Sequence, residues 1–317
     1  MLRAGVLAAI LVAAQINVDV QEITVNVSVD DASKRPVTNL AEKDFTIFED
    51  GQQREISNFA SAETPYNILL LFDRSSSTQD QWDFLLRAVS RFVTQLPDQH
   101  RIALAAFDDK PEMIIGWMTA RDFARQPFRS IPTDSGGTDV YKAIEWGTAQ
   151  FKTAQGRKGI ILLTDGVDNR LSNPKKLVSF DKDRNPVIAP PEKDSDFQKV
   201  LRAVEQNGTL TYFIAVNTDR NLDERMPKND FDLKQRTAAR ERMEIIANRS
   251  NGAVHFPKRI ADVGELYEKI GRELGNAYSL SFRPGRIIHD GSFHPIEVRA
   301  QDKTLHLTQS REGYNAQ

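Results

Sequence analysis

Cysteine does not occur anywhere in the 317 residues. Its absence excludes disulfide staples, thiol nucleophiles, thiolate metal centres and a lipid-modified cysteine, so stability must come from an ordinary core. A surplus of positive charge is missing too: 42 Lys and Arg stand against 44 Asp and Glu, a formal net charge of −2. With no basic excess to displace counterions from phosphate, nucleic acid is not an expected partner. Histidine is scarce, and His100, His255, His289, His294 and His306 show no metal-ligand spacing, so they read as surface or packing residues. There is no Gly-rich phosphate loop ending in Lys and no Gly-x-Ser-x-Gly elbow. Beyond the first residues no apolar run approaches the length of a bilayer span.

What is present begins at the N-terminus. Met1-Leu2-Arg3 supplies a short positive start, Ala4 to Val12 is almost wholly apolar, and Val12-Ala13-Ala14 offers small residues before Gln15. That order is the pattern of an export signal, with cleavage expected after Ala14. The alternative is a buried strand or helix at the start of the fold. The mature chain is expected to be secreted, or periplasmic or extracellular, with no membrane span.

Three regimes follow. In residues 15–64, Ile23 to Val29 alternates apolar and polar with a period of two, and Phe45 to Glu49 runs into the turn pair Asp50-Gly51. Val37 to Leu40 and Ile56 to Phe59 read as further short extended pieces. Residues 65–276 change pattern. Ile68 to Phe72, Ile102 to Phe107, Ile160 to Leu163 and Leu210 to Val216 are continuous apolar runs, as for strands covered on both faces. Met113 to Met118 and Val254 to Phe256 read as shorter strands, and helices of 3.6-residue period lie between the runs, one marked by Met243, Ile246 and Ala247. Residues 277–317 return to short alternating strands at Tyr278 to Phe282, His294 to Ala300 and Thr304 to Thr308. Neither flank can close a core alone. The expected fold is therefore α/β, a doubly wound, mostly parallel sheet inserted into a small β-sandwich that the N- and C-terminal flanks build together.

The chemistry gathers at strand ends. Asp73-Arg74-Ser75-Ser76-Ser77 follows the first buried strand, Gly136-Gly137-Thr138-Asp139 precedes a helix, and Thr164-Asp165-Gly166 ends the strand from Ile160. In an open α/β sheet, ligands sit outside the carboxyl ends of the strands where strand order reverses. One carboxylate and two hydroxyls at alternate positions are hard oxygen donors, suited to Mg²⁺ or Mn²⁺ rather than a soft metal. Each short motif also has a plain reading: Ser75 to Ser77 can cap the next helix, and Asp165-Gly166 can be an ordinary turn. Asp139 and Asp168 read as helix-start or turn residues, and Arg74 as a solvated loop residue that could orient an incoming carboxylate.

Taken together, Asp-x-Ser-x-Ser, Gly-Gly-Thr and Thr-Asp-Gly, in that order and on those elements, resemble the metal-ion-dependent adhesion site of von Willebrand factor A (VWA) domains. The resemblance covers roughly Asn67 to Gly275. It implies a Rossmann-like fold in which Ser75, Ser77 and Thr138 ligate a metal, with Asp73 and Asp165 bound directly or through water. It also implies Mg²⁺ or Mn²⁺ as the cofactor, with Ca²⁺ as an alternative. The partner would be a protein whose Asp or Glu carboxylate completes the coordination. Val37-Thr38-Asn39-Leu40, Asp44-Phe45, Glu49-Asp50-Gly51 and the closing Arg311-Glu312-Gly313-Tyr314 resemble exported bacterial VWA-related proteins.

The expected role is a secreted binding module and not an enzyme. The alternatives are a metal-dependent hydrolase or phosphoryl-transfer enzyme at the same site, and a structural protein that uses no metal. The polar stretches Leu171 to Ser195 and Thr218 to Gln235 leave strand carboxyl ends and are expected to frame the ligand surface.

Overall fold

The computed structural model describes residues 22–74, 82–127, 137–173, 176–216, 230–275, 277–285 and 292–315. Strand β1 (Ile23–Asp30) turns Ile23, Val25, Val27 and Val29 inward, as its alternation requires. The hairpin of β2 (Phe45–Glu49) and β3 (Gln52–Arg54) closes through Asp50 and Gly51, whose φ angles of 51° and 75° suit the twist of paired strands. Strand β4 (Ile56–Ala60) then leads into the α/β body. Val37 to Leu40 forms no strand; instead the Tyr278 hydroxyl binds it, donating to the Val37 carbonyl at 2.8 Å and accepting from the Leu40 amide at 3.0 Å.

The body is a six-stranded sheet. Its strands are β5 (Tyr66–Asp73), β6 (Arg101–Phe107), β7 (Pro111–Thr119), β8 (Arg157–Thr164), β11 (Thr209–Ala215) and β12 (Val254–His255). The order is β12-β11-β8-β5-β6-β7, with all pairings parallel except the edge strand β7. Between β8 and β11 the chain makes a small hairpin, β9 (Val178–Phe180) with β10 (Pro186–Ile188).

Every residue of β5 is buried, because helices cover both faces. Ile68, Leu70 and Phe72 pack toward α1 (Trp82–Thr94) and α6 (Val263–Gly275), with the short α2 (Ala120–Phe123) alongside. Leu69 and Leu71 pack toward α3 (Val140–Ala149), α4 (Ser195–Gln206) and α5 (Phe231–Arg249). The chain passes from β5 to β6 on one side and later lays β8 on the other, so strand order reverses at β5.

After α6 the chain returns to the flanks with β13 (Ala277–Phe282), β14 (Phe293–Ala300), β15 (His306–Gln309) and β16 (Gly313–Asn315). Two antiparallel sheets result, β15-β1-β13-β4 and β16-β14-β2-β3. Val25, Val27 and Leu280 of the first meet Ile47, Ile296 and Val298 of the second in one core. The sandwich is thus built from both ends of the chain with the doubly wound α/β body inserted, as the patterning predicts.

The two crossings between sandwich and body meet at Arg157. Its guanidinium donates to the carbonyls of Thr64 (2.6 and 2.9 Å) and Ala62 (3.2 Å) on the outward path and to that of Ala277 on the return. It lies 4.0 Å over the Tyr66 ring. His100 packs beside the same ring, its centroid 5.8 Å from that of Tyr66, and is fully buried. Its ring nitrogens make no hydrogen bond of ordinary geometry among the described residues.

Two outcomes follow for stability. Arg157→Met leaves three crossing carbonyls without their donor and should lower the unfolding free energy by roughly 3–5 kcal/mol in denaturant titration. Burial and the nearby Arg157 charge hold His100 at about 4, below its ordinary 6.5. The unfolded chain therefore takes up a proton that the fold refuses, and stability falls as pH drops from about 6.5 toward 4. Burial acts on His255 in the same sense, also to about 4. Melting temperatures across that window should fall less steeply in His100→Phe than in the parent.

Candidate functional site

Asp73 is the last residue of β5 and is wholly buried at the point where strand order reverses. Its neighbour across the sheet is the end of β8, where the Thr164 hydroxyl donates to Asp73 Oδ2 at 2.6 Å. The same hydroxyl accepts from the Gly166 amide at 2.9 Å, which turns the chain sharply after the strand. Asp165, between them, accepts from the Val167 amide at 3.0 Å. Asp73 and Asp165 are therefore tied to one turn. Gly166 sits at φ +74°, and a Cβ there would stand 2.6 Å from Met243 Cε on α5. Only glycine fits both the backbone and the helix above it.

Thr138 is buried just before α3. Its loop is held against the ends of β6 and β8: the Asp139 amide donates to the Asp108 carbonyl at 2.9 Å, and the Asn169 amide to the Thr138 carbonyl at 2.9 Å. Gly137 packs so closely on Asn169 that a Cβ would stand 1.9 Å from Nδ2. Asn169 in turn donates to Asp109 Oδ1 at 3.0 Å, and the Gly137 amide to Asp109 Oδ2 at 3.3 Å. Asp73, Thr138 and Asp165 thus stand on neighbouring loops at one edge of the sheet. Ser75, Ser77 and Gly136 lie outside the described residues.

Asp139 and Asp168 have structural duties, as expected. Asp139 caps α3 by accepting from the Lys142 amide at 2.9 Å, and Asp168 caps the 3₁₀ turn at Asn169–Ser172. Arg170 bridges them at 2.8 and 3.1 Å. Burial pushes the Asp168 carboxyl upward against that cation's pull.

Arg74 departs from expectation. It is not a solvated loop residue but is buried, donating to Asp108 Oδ2 at 2.8 Å and to Glu112 Oε2 at 3.1 Å. The Phe107-Asp108-Asp109 run at the end of β6 is the frame that sequence reasoning missed. Its signal was a pair of carboxylates directly after a buried strand.

The polar stretches also differ from plain rim loops. Leu171 and Leu177 bury against Ala238 and Ala239 of α5, so the segment from Leu171 is anchored and carries the β9–β10 hairpin. In the second stretch, residues 217–229 lie outside the described ones, and α5 already begins at Phe231. The hairpin exposes Phe180 and Val187.

Residues 68–167 match the family model described as von Willebrand factor type A domain. The part of the α/β body from β5 to the turn after β8 is thus of VWA type, and it includes the turns bearing Asp73, Thr138 and Asp165. Several solved structures are similar to the chain. One is a von Willebrand factor type A protein from Catenulispora acidiphila, 11% identical, covering 94% of this chain and 74% of its own, at a TM-score of 0.46. An aerotolerance-related membrane protein from Bacteroides fragilis is 13% identical, covering 66% and 98%, at 0.42. A pilus adhesin from Lactobacillus rhamnosus GG is 14% identical, covering 73% and 33%, at 0.47. No curated protein matches the chain.

The turn after β8 is open to test. Gly166→Ala forces a Cβ into Met243 and a strained backbone, and should cost roughly 1–3 kcal/mol in chemical denaturation. Shortening the obstacle in Gly166→Ala/Met243→Ala should restore less than the whole loss, because the positive φ remains.

Proposed function

We propose that the chain is an exported, non-catalytic protein-binding module whose contact point is one divalent ion at the carboxyl end of β5. The observation that carries the reading is the wholly buried Asp73 carboxylate, oriented by the Thr164 hydroxyl and flanked by the turns of Thr138 and Asp165. Asp73, Ser75, Ser77, Thr138 and Asp165 would hold the ion.

The donor chemistry fits. Among the described residues no group of three or more His, Cys, Asp or Glu side chains converges to hold a metal. The proposed set, two carboxylates and three hydroxyls, consists of hard oxygen donors and suits Mg²⁺ or Mn²⁺, with Ca²⁺ as the looser alternative. When bound, such an ion offers a coordination position to an Asp or Glu of the partner. The chain's own residues do the rest. Thr164 fixes the Asp73 carboxylate, Asn169 and Asp109 hold the Thr138 loop, and buried Arg74 ties the end of β5 to Asp108 and Glu112.

Export is supported by the positive, apolar and small-residue order of residues 1–14. Among the described residues no helix is long and apolar enough to cross a membrane.

Calorimetric titration tests the reading. The wild-type chain should take up about one Mg²⁺ or Mn²⁺, Asp73→Ala none, and Thr138→Ala should bind at least about tenfold more weakly. Equal binding by wild type and Asp73→Ala, or no heat at millimolar metal with a folded chain, defeats it.

A further inference from the structure

At the other end of the six-stranded sheet lies a cleft of about 730 Å³ between the α/β body and the sandwich. Strand β8 separates the two places, running from Arg157 and Lys158 at the cleft to Thr164 beside Asp73. Seven steps of ~3.3 Å put them about 23 Å apart. The volume falls within the roughly 300–1,000 Å³ of small-molecule sites.

One wall is the face of the β1–β13 pair turned away from the sandwich core. Thr24 stands opposite Ser281 and Asn26 opposite Ser279. The Thr24 and Ser281 hydroxyls are 2.9 Å apart, and Ser279 donates to Asn26 Oδ1 at 2.7 Å. A contact made only to hold two bodies together favours apolar residues on such a face, since each buried hydroxyl or amide must be compensated. Here Thr24, Asn26, Asn58, Ser279 and Ser281 form the polar part of the wall, beside Ile23 and Ala60.

The facing wall is cationic. Arg157, Lys158, Arg202, Arg249 and Arg311 line the cleft against Glu22 and Glu205, and Glu205 is already paired with Arg249. Arg157 reaches main-chain carbonyls, and Arg311 donates to the amide oxygens of Asn248 and Asn251 and to the Gly313 carbonyl at 2.9 Å. All these acceptors are neutral, so both guanidinium charges add to the potential in the cleft. Burial pushes Arg311 down to about 10. Thr209 also lines the cleft, 1% exposed, and its hydroxyl has no hydrogen-bond partner among the described residues.

We propose that this cleft is a second ligand site, taking a small anion that carries several hydroxyl groups, an acidic sugar of the uronate class. The amide and hydroxyl wall suits sugar hydroxyls, and the cationic wall suits one carboxylate. Inorganic phosphate is matched less well, because it offers charge to the cationic wall but no array of hydroxyl groups to the amide and hydroxyl wall.

Calorimetry on the full chain in EDTA, with glucuronate, glucose and inorganic sulfate as probes, tests the assignment. Glucuronate should bind with a millimolar or lower Kd, and glucose and sulfate at least about tenfold more weakly. Excess Mg²⁺ should leave the affinity unchanged, because the ion's place is at the opposite end of β8. Lys158→Met and Arg202→Ala, with unchanged melting temperatures, should each weaken glucuronate several-fold. No glucuronate binding at about 10 mM overturns the proposal. Sulfate binding as well as glucuronate overturns it too, as a patch of charge only. Equal binding of glucose, or Lys158→Met and Arg202→Ala variants that bind as the parent does, has the same consequence.

Discussion

One guanidinium, that of Arg157, joins the two halves of the molecule. The chain leaves the sandwich after β4 and comes back at β13, and Arg157 donates to carbonyls on both paths. Inserting one body into another creates this need. Where two sheets meet, the connecting backbone belongs to neither ladder, and its carbonyls must find donors elsewhere. A buried arginine is expensive to desolvate, yet its planar fork can satisfy several carbonyls at once where a water would satisfy fewer. The Tyr66 face beneath it offsets part of that cost.

From that junction the sheet carries geometry upward. All of β5 is buried, and its two faces belong to two separate cores, so Asp73 can shift only if both sets of helices shift with it. The turn after β8 is fixed in the same way by Met243 above Gly166. The candidate site therefore rests on rigid strand ends, while its neighbours Asn169, Asp109 and Arg74 are held by charge-assisted hydrogen bonds on the loops.

Much of this was legible in the residues themselves. Alternation exposed β1 and β13 as half-buried strands, and unbroken apolar runs marked β5, β6, β8 and β11 as covered on both faces. What patterning could not show was polar residues used as core. The start of α5 was hidden because Gln235, Arg240 and Arg242 are buried on its inner face, where a hydrophobic period would be sought. Arg242 lies inside because the Tyr141 hydroxyl at 2.9 Å and the Ala189 carbonyl at 2.7 Å receive it. Arg74 misled for the same reason, since its partners Asp108 and Glu112 are over thirty residues away in the chain. Asp73, Thr138 and Asp165 stood out because each follows or precedes a clear strand or helix boundary.

The pairing of β4 with β13 has a mechanical side. Ser279 lies across from Ala60, so the outgoing and returning strands run side by side into the sandwich, with β1 flanking β13. A pull on the α/β body loads both strands along their own axes. Drawn in the same direction, β4 and β13 leave the bonds between them unloaded, and the ladder of β13 with β1 bears the tension together in shear rather than one bond after another as in a zipper. The stem of this inserted body is thus held by a ladder that resists peeling.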